Sequence, residues 1–114
     1  MPILEAPLTR KELGERFCRI FEGMVKAVVD LGSERLAVEA VMHADLEQEF
    51  LDQGSAQPNL WGLNLYPGKE GDAFLEFTSL INIRPSQGNP SLVVQDPALR
   101  ERIATLVKRW ISDA

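Results

Sequence analysis

The chain has 114 residues, of which 45% are hydrophobic and 25% charged, and its net charge is -5 at pH 7. This composition fits one globular domain, 1–114, and excludes a disordered chain. The basic residues are scattered apart from a small C-terminal group, which argues against nucleic acid, because phosphate binding needs clustered cations.

The single cysteine, Cys18, allows no intramolecular disulfide and suits a reducing cytoplasm. The stretch from Met1 to Pro7 lacks the basic start and long apolar run of a signal peptide. No apolar run approaches the roughly 20 residues of a membrane span. A soluble, cytoplasmic protein with no membrane partner is the expectation.

Pro2 to Leu8 reads as a short edge strand, where proline is tolerated. Thr9 and Glu12 have the spacing of a capping box, and Leu13, Phe17, Ile20, Phe21 and Met24 follow at helical spacing. A helix is expected from Arg10 to Glu22, stopped by Gly23. Met24 to Leu31 and Arg35 to Met42 alternate as two strands around the Gly32–Glu34 turn, a hairpin. Asp45 and Gln48 suggest a cap for a helix from Leu46 to Gln53.

Leu60 to Tyr66 and Ala73 to Arg84 read as a second hairpin, with a break or bulge expected near Thr78 and Ser79. Asp96 and Pro97 open a final helix, whose stripe is Leu99, Ile103, Leu106, Val107, Trp110 and Ile111. Trp61 and Trp110 are expected in the core. The fold class is α+β: a mostly antiparallel sheet of two hairpins, with two longer amphipathic helices packed on one face, in the order β-α-β-β-α-β-β-α. The other sheet face, with Glu39, Glu76, Asn82 and Arg84, is expected to stay partly open.

Three passages carry a resemblance: Met42-His43-Ala44-Asp45, Asp52 to Gly62, and Ile81 to Asn89, with Asp96-Pro97 opening the last helix. Together they resemble a family of small prokaryotic proteins known only as a domain of unknown function. The resemblance spans nearly the whole chain. It implies a small stand-alone protein and transfers no catalytic residue.

Two places carry candidate chemistry. The segment Asn82, Arg84, Ser86, Gln87 and Asn89 combines a planar guanidinium with hydroxyl and amide groups around Gly88, a set suited to a carboxylate or phosphate. The alternative is a structural turn whose amides satisfy loose backbone groups, with Arg84 paired to Glu76 or Glu39. His43, the only histidine, titrates near neutrality and can serve as a general base oriented by Asp45 or Glu47. The alternative for His43 is a structural hydrogen bond.

One histidine among carboxylates is a weak metal set, so neither a metal nor a cofactor is expected. Three functional readings remain open: a binding protein for a polar or anionic small ligand or partner peptide, a hydrolase using His43, and a subunit of a homo-oligomer or complex.

Overall fold

A computed structural model describes residues 2–113 of the protein. Its elements in chain order are β1 (Leu8–Thr9), α1 (Arg10–Phe17), β2 (Val25–Asp30), β3 (Arg35–Val38), α2 (His43–Asp52), β4 (Leu60–Leu65), β5 (Leu75–Glu76), α3 (Pro97–Trp110) and β6 (Ile111–Ser112). Helices and antiparallel strands share one core, an α+β architecture.

The four-stranded sheet has the order β3-β2-β4-β5, and every neighbour is antiparallel. Val29 pairs with Leu36 and with Trp61, so the two central strands carry the apolar alternation in register. Alternate residues of a strand face opposite ways. On one face Val25, Ala27, Val29, Leu36, Leu63 and Leu65 meet Leu13 of α1 and Ile103, Leu106 and Val107 of α3. On the other, Val28, Ala37 and Leu60 meet Leu46 and Phe50 of α2 and Ile3.

The sheet is therefore covered on both faces, which corrects the expectation of an open second face. Leu46 and Phe50 form the apolar side of α2, and that side needs a sheet to bury it. Ile3 reaches the same cluster because the N-terminal segment bridges to Ala37 on the outer edge of β3. Trp61 is buried, and half-buried Trp110 donates its indole N–H to the Glu34 carbonyl at 3.0 Å.

Local signals set several helix ends. At α1, Thr9 Oγ1 accepts from the Glu12 N–H at 3.0 Å, and Glu12 Oε1 accepts from the Thr9 N–H at 2.9 Å. At α3, Asp96 accepts from the Ala98 N–H, with Pro97 in the first position. Other ends depart from the sequence pattern. α1 stops at Phe17 rather than Glu22, because the Glu39 carboxylate takes the Arg19 and Ile20 N–H groups at 2.7 and 3.1 Å. α2 begins at His43, with Met42 as its cap and no side-chain hydrogen bond, so Asp45 lies inside the first turn rather than at the cap.

The largest departure is the extended run expected from Ala73 to Arg84. Regular pairing covers only Leu75–Glu76, and single 3-10 turns occupy Leu80–Asn82 and Pro85–Gln87. The break expected near Thr78 and Ser79 is where the chain leaves β5 and turns back over β4.

Asp30 ties the β2–β3 turn to the loop after α2. Its carboxylate accepts from the Gly32 N–H at 2.8 Å, from Ser33 Oγ at 2.7 Å and from Ser55 Oγ at 2.6 Å. Burial works to raise its pKa, but the hydrogen bonds from Ser55, Ser33 and Gly32 outweigh it and hold the carboxyl below the usual aspartate range. A depressed native pKa means that this stabilisation is complete above the unfolded pKa and fades as pH falls through the native one. Asp30→Ala should cost about 2–3 kcal/mol at pH 7 and should lose less stability than wild type between pH 5 and pH 2, as read by urea unfolding across that range.

Candidate functional site

The polar stretch from Asn82 to Asn89 meets an unpaired strand edge. β5 pairs with Asn64 and Leu65 of β4, leaving the earlier part of that edge without a neighbouring strand. The Asn82 side-chain amide fills the gap. Its Oδ1 accepts from the Gly62 N–H at 2.8 Å, and its Nδ2 donates to the Gly62 carbonyl at 2.9 Å. An antiparallel neighbour makes the same pair of bonds with its backbone. Asn82 is 0% exposed. The 3-10 turn can sit this close only because residue 62 is glycine: a Cβ there would lie 2.5 Å from Ser79 Cβ.

Arg84 completes the edge. Nη2 donates to the Leu60 carbonyl, Nη1 to the Gln57 carbonyl at 3.0 Å, and Nε to the Ile81 carbonyl at 3.0 Å. The guanidinium stacks 4.6 Å from the Trp61 ring centroid and pairs with Glu47 at 3.5 Å. Its carboxylate partner is thus Glu47, neither Glu76 nor Glu39. Burial pulls the Arg84 pKa below its usual value and Glu47 opposes the shift. At 6% exposure, with all three nitrogens directed at protein acceptors, the guanidinium turns no free donor edge to solvent.

The loop beyond Arg84 is closed by its own backbone. The Arg84 N–H donates to the Asn89 carbonyl at 2.6 Å and the Asn89 N–H donates back at 3.0 Å, with Gly88 left-handed at φ 76° between them. Asn89 Nδ2 donates to the carbonyls of Asn82, Ser91 and Val93, and its Oδ1 accepts from the Gln95 N–H. Gln87 donates to the Pro58 carbonyl, and Ser86 is exposed. The structure brings Asn82, Arg84, Gln87 and Asn89 together as partners of backbone groups, and Ser86 stands apart from that network.

His43 and Arg84 each bond a β4 carbonyl. Leu60 and Leu63 supply these carbonyls, three residues or about 10 Å apart along the strand. His43 is buried, with Nε2 2.7 Å from the Leu63 carbonyl. A carbonyl only accepts, so the neutral ring carries its proton on Nε2. Burial lowers the His43 pKa, the Leu63 carbonyl opposes this, Lys26 lowers it further, and Asn64 opposes. No hydrogen bond joins His43 to Asp45 among the described residues, and Glu47, the other proposed orienting group, faces Arg84. Asn64 sits beside the ring. It donates to Glu76 at 2.7 Å and to the Thr78 carbonyl at 3.2 Å, while its buried Oδ1 has no hydrogen-bond partner among the described residues.

A concave feature with room for a ligand lies elsewhere. A groove of about 670 Å³ runs between α3 and the segment Gly71–Phe77, within the size range of small-molecule sites. Phe74, Leu75, Phe77, Ala104, Val107 and Ile111 form its apolar walls, and Arg100, Lys108, Asp72 and Glu101 its polar rim. Arg100 stacks 4.4 Å from the Phe77 centroid and donates to the Val94 carbonyl at 3.2 Å. Arg10 holds Asp113 of the lining at 2.7 Å and donates to the Pro67 carbonyl at 2.9 Å.

None of the residues singled out from the sequence as site candidates lines this groove. The signal available was Arg100, Ala104 and Lys108 at four-residue spacing beside the apolar stripe of α3. Among the described residues no three His, Cys, Asp or Glu side chains gather to hold a metal ion, and no helix is long and apolar enough to cross a membrane.

Two tests follow from this geometry. Arg84→Ala leaves the Glu47 carboxylate and the Leu60 and Gln57 carbonyls without their donor, and should cost about 3–5 kcal/mol in urea unfolding, with Arg84→Lys failing to restore it. For His43, whose pKa is lowered on folding, the unfolded chain binds more protons below the unfolded pKa. Stability should therefore be complete above about pH 6.5 and fall as pH drops below it. The urea midpoint of His43→Gln should change less than that of wild type between pH 7 and pH 5.

No curated protein and no solved structure matches the chain. A family model does, over residues 2–110, and the chain belongs to that family, described as protein of unknown function (DUF5674).

Proposed function

We propose that this is a cytoplasmic binding protein whose ligand sits in the groove between α3 and β5. The observation that carries the reading is the groove itself: about 670 Å³, apolar walls with two phenylalanines, and a charged rim. A pocket with apolar walls and a few convergent polar groups is the usual form of a ligand site. The Arg84–Asn89 loop, the other candidate, already spends its donors on backbone carbonyls. The groove carries both charge signs, which favours a ligand with an apolar body and polar ends. The reading includes neither nucleic acid, given the net charge of -5, nor a membrane.

The hydrolase reading draws less support, because the His43 ring bonds a backbone carbonyl and lacks the expected carboxylate. A thermal-shift screen against amphipathic metabolites tests the groove. Ligand at about 100 times its Kd should add about 2.7 kcal/mol, several degrees in a domain of this size. Ala104→Trp, which fills the groove from α3, should abolish the shift while keeping the circular dichroism spectrum. A shift that survives in Ala104→Trp would place the ligand elsewhere.

A further inference from the structure

We propose that the groove receives an extended peptide segment of a partner protein, which adds a strand to the sheet at Leu75. This rests on the groove as the binding site and specifies its occupant. The Tyr66 N–H donates to the Phe74 carbonyl at 2.8 Å, and Leu65 pairs with Leu75. Leu65 and Leu75 thus form a non-hydrogen-bonded pair, and the N–H and C=O of Leu75 point away from β4. Leu75 also lines the groove.

The next outward-facing positions along the same edge are already occupied. Val94 N–H donates to the Phe77 carbonyl at 3.0 Å, Ser79 N–H donates to the Leu92 carbonyl at 3.0 Å, and Thr78 bridges to Val93 between them. The segment Leu92–Val94 therefore acts as an outer strand over Phe77 and Ser79. The chain then departs at the Asp96 cap into α3, and among the described residues no backbone group bonds the outward N–H and C=O of Leu75.

An incoming peptide continues that row, as in recognition by strand addition: main-chain bonds supply affinity and pockets for alternate side chains supply selection. Its inward side chains meet Phe74 and Val107. Arg100 has no carboxylate within ion-pair distance among the described residues, so it selects an acidic residue at one end of the peptide.

The test uses the full-length protein and a random heptapeptide display library, with Ala104→Trp as counter-selection. Enriched peptides should carry apolar residues at alternate positions and an acidic residue, and their binding should protect the Leu75 amide from hydrogen exchange. Leu75→Pro removes the outward N–H at the edge together with the Leu75 side chain on the groove wall, and it follows Phe74, whose αR backbone a proline disfavours; if folded by circular dichroism, it should weaken peptide binding at least about tenfold, a loss of about 1.4 kcal/mol. Should that variant fail to fold, exchange at the Leu75 amide carries the test in wild type.

Absence of any peptide preferring wild type to Ala104→Trp, or a Leu75 amide unprotected by bound peptide, overturns the proposal. If the peptide arm fails but small molecules shift wild type and not Ala104→Trp, the groove stands as a small-ligand site and only the peptide occupant falls. If neither class binds, both readings fall. A concentration-dependent dimer in light scattering that Leu75→Pro abolishes would assign the edge to a second copy of this chain and overturn the peptide proposal.

Discussion

A buried strand edge without a neighbouring strand is the constraint on which much of this protein depends. Backbone N–H and C=O groups taken out of water need partners, and the edge of β4 from Leu60 to Gly62 is fully buried. Two side chains satisfy it. Asn82 presents an amide to Gly62 as a neighbouring strand would, and Arg84 reaches the Leu60 carbonyl. The rest of that region supports this arrangement. Gly62 leaves space for the turn, the Arg84–Asn89 bridge holds the arginine backbone in place, and Glu47 of α2 supplies the compensating charge. A buried cation with a paired carboxylate and carbonyl acceptors is tolerable; without those partners it is not.

Where structure follows from neighbours in sequence, it was legible there. The Thr9–Glu12 box, the Asp96-Pro97 start and the alternation of β2 and β4 each depend on a few adjacent residues, and each forms. The 73–84 run shows the limit. Leu75, Phe77, Ile81 and Ile83 alternate as a strand would, yet the chain turns at Leu80–Asn82 and leaves Ile83 exposed. Packing the polar groups of residues 79–84 against β4 outweighs the local preference for extension. The Asp45–Gln48 pattern fails differently: His43 finds an acceptor on β4, and the helix begins three residues early.

A dense run of polar side chains has two physical meanings, and a sequence does not separate them. Asn82, Arg84 and Asn89 can offer donors to a ligand or to buried carbonyls, and the chemistry is the same until the carbonyls are located. Here the carbonyls belong to Gly62, Leu60 and Asn82 itself. The groove has the opposite history. Its walls come from residues 71–77 and 100–113, distant in sequence and individually ordinary, and only the placement of β5 at the sheet edge beside α3 brings them together.

The parallel pairing of β1 with β6 joins Leu8 to Ile111 and Thr9 to Ser112, and Arg10 adds its bond to Asp113, 103 residues away in sequence. Closing a loop that long costs only about 0.6 kcal/mol more per doubling of its length, so the pairing is affordable at equilibrium. Its effect is on timing. Contacts this distant slow folding, and during synthesis the N-terminal partner waits until residues 111–113 have emerged. Ile111, Ser112 and Asp113 also line the groove. The groove wall at Ile111–Asp113 is thus held by Leu8, Thr9 and Arg10, and its shape depends on a contact made across almost the full length of the described chain.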